Sequence, residues 1–120
     1  MTMPENGEGA VAALSLTSST VDAITVIKVD GVLDATTREQ FADYLSLAGS
    51  ELILDLSGVT FMDSRALGLI VHHWQTSLTS GARFALVGVE YSKSKVMWIT
   101  GLAQRLPLYD TLDDALAAIG

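Results

Sequence analysis

The sequence predicts an α/β domain, a mixed sheet of four to five strands with helices packed mainly on one face. Three observations predict it. Short apolar runs of strand length alternate with segments whose apolar residues recur at helical spacing. The run from Glu51 to Leu56 is dominated by leucine and isoleucine, as suits a central parallel strand covered on at least one face. The order of elements, β-β-α-β-α-β-α-(β)-α, calls for right-handed crossovers onto one sheet.

The elements follow in order. Residues 1–9 lack apolar pattern and read as a flexible tail, leaving 10–120 as one domain. Ala10 to Leu16 and Ala23 to Val29 are the first two strands, and Thr17-Ser18-Ser19-Thr20 is short enough to make them a hairpin. On the second strand Ile24, Val26 and Lys28 share one face, and Thr25, Ile27 and Val29 the other. Asp30-Gly31 reads as a turn. Thr36 with Glu39 then forms a capping box for a helix carrying Phe41, Tyr44, Leu45 and Ala48, stopped by Gly49. Gly58 reads as a turn after the central strand. The helix after Asp63 has Leu67, Ile70, Val71, Trp74 and Leu78 on one stripe and ends at Gly81. Phe84 to Val87 is a strand, Tyr91 to Thr100 a shorter helix, and Leu106 to Tyr109 a short extended piece. Thr111 with Asp114 caps the last helix, whose buried stripe is Leu112, Ala115, Leu116 and Ile119.

Composition narrows the function. At 120 residues the chain suits one domain with a real core. Its net charge of −7, from 7 basic and 14 acidic residues, argues against nucleic acid, which needs clustered Lys and Arg. The absence of cysteine excludes disulfides, thiol chemistry and cysteine zinc sites. No apolar run approaches the roughly 20 residues of a membrane span, and no signal peptide is recognisable. The expectation is a soluble, cytoplasmic protein without a membrane partner. Adjacent His72 and His73 point about 100° apart on a helix and do not form a metal pair. No phosphate loop and no nucleophile–base pair is present, so neither an enzyme nor a cofactor or metal site is expected.

The most informative stretch runs from Leu52 to Ile70: a strand, a polar crossing, then a helix with Ser64 in its first turn. A helix start exposes N–H groups without intrahelical partners and the positive end of the helix dipole. A phosphoryl group is favoured there. Ser64 is therefore a candidate modification site as well as a candidate N-cap. Asp63 is the alternative cap, which leaves Ser64 at the first helical position. Trp98 and Ile99 are neighbours on a short helix, so one of them is expected at the surface. Lys93 and Lys95 read as a solvated face.

Three separated motifs resemble the STAS domain family, in particular the bacterial anti-sigma factor antagonists. They are Gly31-Val32-Leu33-Asp34-Ala35-Thr36; Leu54-Asp55-Leu56-Ser57-Gly58-Val59-Thr60-Phe61-Met62-Asp63-Ser64; and Thr100-Gly101-Leu102 with Leu108-Tyr109-Asp110-Thr111 and Ala115. The resemblance implies a STAS-like mixed sheet and a partner-switching role. The unphosphorylated protein would bind an anti-sigma factor that is itself a serine kinase. Phosphorylation of the serine matching the family motif, Ser64, would separate the two, and a PP2C-type phosphatase would reset the system. The resemblance places Asp34, Thr36, Asp63, Arg65, Ala66 and Leu67 around that serine. Arg65 stands where the family carries a small hydroxyl residue, and can pair with a phosphate or obstruct a kinase. Ala66 stands where the family carries glycine, and its methyl is expected close to where a partner approaches. A non-phosphorylated STAS scaffold and a nucleotide-binding STAS module are the alternative readings. The oligomeric expectation is a monomer or weak dimer.

Overall fold

A computed structural model describes residues 13–120. The elements are β1 (Leu14–Val21), β2 (Ile24–Leu33), α1 (Arg38–Leu47), β3 (Leu52–Met62), α2 (Ser64–Ser80), β4 (Phe84–Val87), α3 (Lys95–Ile99), β5 (Leu108–Tyr109) and α4 (Leu112–Ile119). The strands form one mixed sheet in the order β1-β2-β3-β4-β5. β1 is antiparallel to β2, and all other pairs are parallel. The expected tail, residues 1–9, and the expected strand start at Ala10 lie outside the described residues.

The sheet alternates its side chains between two cores, as period-2 geometry demands. Ile27, Val29, Leu33, Leu52, Leu54, Leu56 and Leu86 face one side, where Phe41 and Leu45 of α1, Leu67 and Ile70 of α2 and Met97 of α3 close the larger core. Ile24, Val26, Ile53, Ala85 and Val87 face the other side, where Ala115 of α4 is fully buried. Three helices thus share one face, and α4 alone crosses to the opposite one. No helix among the described residues is long and apolar enough to cross a membrane.

Several local expectations change. The hairpin turn is Asp22-Ala23, both at positive φ, and not Thr17 to Thr20. The Ser/Thr stretch continues β1 because an edge strand meets solvent and tolerates polar side chains while its backbone pairs with β2. Asp30-Gly31 and Gly58 lie within strands and are not turns. The register between β2 and β3 slips twice, between Lys28 and Asp30 and again between Gly31 and Val32. The glycines make these bulges possible. A Cβ on Gly31, whose φ is +117°, would lie 2.1 Å from the Ala13 carbonyl oxygen; one on Gly58 would lie 1.8 Å from Asp30 Oδ1. Bulges sharpen local twist and re-aim the strand that follows. Here they let both strands run on to end side by side, Leu33 opposite Met62.

The α1 capping box does not form. The helix starts at Arg38 with Thr37 as N-cap, and Thr37 Oγ1 turns back to donate to the Val32 carbonyl at 2.7 Å. Thr36 instead donates to Asp34 Oδ1 at 2.5 Å, because an aspartate two residues upstream offers a charged acceptor within one turn. On α2 the buried stripe is Ala66, Leu67, Ile70 and Ser77, while Leu78 is 64% exposed. Ser77 can face inward because its hydroxyl donates to the Trp74 carbonyl at 2.6 Å.

Candidate functional site

The parallel strands β2 and β3 finish together, and ligands of open α/β sheets gather at such carboxyl ends. The Asp63 N–H donates to the Leu33 carbonyl at 2.9 Å, which locks the two ends together. Asp34, next after Leu33, therefore lies beside Asp63, next after Met62. Ser64 follows as the first residue of α2.

Asp63 is the N-cap. Its backbone is extended, and Oδ1 accepts from the N–H groups of Arg65 and Ala66, both at 3.0 Å. Two of the free donors of the first turn are thus satisfied by a carboxylate, which also suits the positive end of the helix. The cap is taken, so the Ser64 side chain is released from that duty. Its hydroxyl is exposed and has no hydrogen-bond partner among the described residues. Asp34 is held in a tight turn of its own, accepting from the Thr36 hydroxyl and from the Thr36 N–H at 2.9 Å. The Thr36 hydroxyl bond lowers the Asp34 pKa below the ordinary carboxylate value; desolvation opposes this, and the N–H groups of Thr36 and Thr37 add to it. Its own turn thus favours the charged form of Asp34.

Thr36 and Arg65 are exposed close by. Ala66 and Leu67 are not on this surface. They are 1% and 2% exposed and pack into the larger core, so the Ala66 methyl does not stand in a partner's path. Helical geometry explains it: three and four residues past the cap, the helix face has rotated onto the sheet.

The structure adds residues that the sequence reading did not assemble. A cavity of about 480 Å³ opens beside Ser64, with Phe61 and Asp63 on one wall and Lys93, Lys95 and Ile99 on the other. Phe61 is 52% exposed and Ile99 79%. The exposure of Phe61 was hidden by the second bulge, which breaks the in–out alternation between Val59 and Met62. Of the Trp98–Ile99 pair both reach the surface, while Met97 turns inward. Tyr91 meets Trp98 edge to face, with ring centroids 5.4 Å apart, and braces the segment that carries the two lysines. No local signal links residues 93–99 to Ser64, because only the packing of α3 beside α2 brings them there.

The arrangement offers a rigid, capped helix start with a free hydroxyl, a rim of apolar side chains and flanking cations. Comparison with known proteins agrees with the fold. The STAS domain model matches residues 15–115, and the chain belongs to the STAS domain family. A Thermotoga maritima protein, provisionally named an anti-sigma factor antagonist, is 32% identical over 79 residues, 66% of this chain and 70% of its own. The crystal structure of an anti-sigma factor antagonist from Mycobacterium paratuberculosis is similar with a TM-score of 0.73 at 27% identity, covering 88% of this chain and 93% of that one. SpoIIAA in its unphosphorylated form has a TM-score of 0.70 at 24% identity over 85% of this chain and 93% of its own. The phosphorylated form of the Bacillus SpoIIAA has a TM-score of 0.66 at 24% identity over 88% of this chain and 98% of its own.

Proposed function

We propose that this protein is an anti-sigma factor antagonist, binding an anti-sigma factor through the face around Ser64 and released when that serine is phosphorylated. The single observation that carries the reading is the free, exposed Ser64 hydroxyl beside a cap supplied wholly by Asp63. The names of the relatives support the partner class, and the phosphorylated SpoIIAA neighbour supports the chemistry. The anti-sigma factor acts as the kinase. Ser64 Oγ attacks the γ-phosphorus of ATP, the bond from that phosphorus to the β-phosphate oxygen breaks, ADP leaves, and the hydroxyl proton passes to a base of the kinase. A PP2C-type phosphatase reverses the change by hydrolysis.

The physical consequence lies at the interface and not in the fold. A phosphoserine carries a charge of about −1.5 to −2. At the head of α2 the helix dipole tolerates it. Set against the apolar rim of Phe61 and Ile99, it places a hydrated dianion where a partner must exclude water. The complex then separates without refolding of the antagonist.

The test uses the cognate kinase and ATP. Intact mass should show one phosphoryl group on the wild type and none on Ser64→Ala. Ser64→Ala should keep the partner bound, whereas Ser64→Asp should weaken the complex by about tenfold or more. Equal binding by wild type, Ser64→Ala and Ser64→Asp would overturn the switch. A stable complex in which Ser64 is never modified would point to a scaffold instead.

A further inference from the structure

We infer that Lys93 and Lys95 form a receptor for the phosphoryl group of Ser64, holding it against the domain's own surface; this rests on the proposed phosphorylation of that serine. The two lysines and Ser64 line one cavity of about 480 Å³, large enough to admit a phosphate without moving the backbone. The protein as a whole is acidic, with 7 basic residues against 14 acidic ones. Yet two of those seven, Lys93 and Lys95, line the same cavity as this one hydroxyl, and a third, Arg65, follows it in sequence. Two others are engaged elsewhere, Arg83 with Glu51 and Lys28 with Asp30.

The charges around the group decide which way it turns. On the β2 and β3 ends, Asp34 and Asp63 repel a dianion, and both already have donors, Thr36 for one and the α2 backbone for the other. On α2, Arg65 follows Ser64 on the exposed surface. Across the cavity, Lys93 is paired with Glu90 at 3.3 Å, in an ion pair with both side chains roughly half exposed. An exposed pair of that kind is weak, and a phosphate dianion competes well with a single carboxylate for the ammonium. Lys95 has no ion-pair partner among the described residues. Repulsion from the strand ends and attraction from the far wall therefore act in the same direction. The Tyr91–Trp98 contact ties together the two ends of the segment that carries the lysines.

The receptor would have two effects. It would stabilise the phosphorylated state against hydrolysis by covering the phosphate. It would also consume cations that the unmodified protein presents to its partner.

The experiment installs phosphoserine at position 64 of the full chain by genetic encoding, so that it does not depend on any kinase. The ³¹P resonance is then titrated with pH. A free phosphoserine has a second pKa near 6. In the folded protein it should lie at least about half a unit below its value in the urea-unfolded chain, because nearby cations favour the dianion. Lys93→Gln and Lys95→Gln should each raise it, and the double variant should raise it further than either, leaving only the part due to the helix start and Arg65. Arg105→Gln, which does not line the cavity, should leave it unchanged. A folded-state pKa equal to the unfolded one, or one unmoved in the double variant, would overturn the receptor. Absence of kinase modification in the separate mass experiment would instead overturn the assignment of Ser64 as a physiological phosphorylation site.

Discussion

Replacing Asp63 tests the physical basis of the site most directly. Its Oδ1 accepts two backbone hydrogen bonds, each 3.0 Å long, at the head of a helix that runs to Ser80. Asp63→Ala removes the cap, which costs about 1–2 kcal/mol. It also removes a negative charge from the positive end of α2, worth about 0.3–1 kcal/mol more. The sum is about 2 kcal/mol, or a fall in Tm of about 8 °C for a domain of this size. Asp63→Asn keeps an acceptor at the same place and loses only the charge, so it should cost about 0.5 kcal/mol. Urea unfolding followed by the fluorescence of Trp74 and Trp98 measures both. The same pair should separate in the kinase assay. The frayed first turn of Asp63→Ala no longer aims the Ser64 hydroxyl and should slow its phosphorylation, while Asp63→Asn should be modified at close to the wild-type rate. A loss below about 0.5 kcal/mol for alanine, or equal losses for the two variants, would refute the capping argument.

Two further predictions use the same substitution and a pH titration. Gly68→Ala should stabilise the protein by about 0.5–1 kcal/mol, since Gly68 is an exposed interior residue of α2 and an added Cβ meets nothing within 4 Å. Gly31→Ala should destabilise it by about 2 kcal/mol or more, because the Cβ would strike the Ala13 carbonyl oxygen at a backbone angle alanine rarely adopts; thermal melts of the two variants should move in opposite directions. Half-burial against Phe84, with ring centroids 5.6 Å apart, is the main cause that lowers the His73 pKa; the neighbouring His72 adds to it and a hydrogen bond with the Gly49 backbone opposes it. The unfolded chain then takes up a proton before the folded one does, so stability present above pH about 6.5 should fall as pH drops below that value. His73→Gln should flatten that part of the stability–pH curve, and an unchanged slope in the variant would assign the titration to another group.

Much of the fold was legible because it is written locally. Phe84 to Val87 forms the expected strand residue for residue, since four apolar residues between a helix-stopping glycine and a second glycine leave little choice. Gly81 ends α2 in the left-handed conformation, and Thr111 Oγ1 accepts from the Asp114 N–H to start α4 as expected. The candidate Ser64 was legible for the same reason, because a helix start is a short-range event. What failed was what depends on partners. Asp30-Gly31 and Gly58 carry turn chemistry, yet neighbouring strands hold them in the sheet as bulges. Ala66 departs from the family pattern, and its burial puts the added methyl in the core.

The order of strands and helices, the acidic balance, the lack of cysteine and the hydroxyl at the head of α2 are properties of the chain read in one dimension, because the elements and the helix start are set by residues within a turn or two of one another and the rest is composition. The crossing of α4 to the far face, the exposure of Phe61 and the meeting of Lys93 and Lys95 with Ser64 belong to the folded molecule alone. They arise from packing between segments roughly thirty or more residues apart, where burial of apolar area outweighs any local preference.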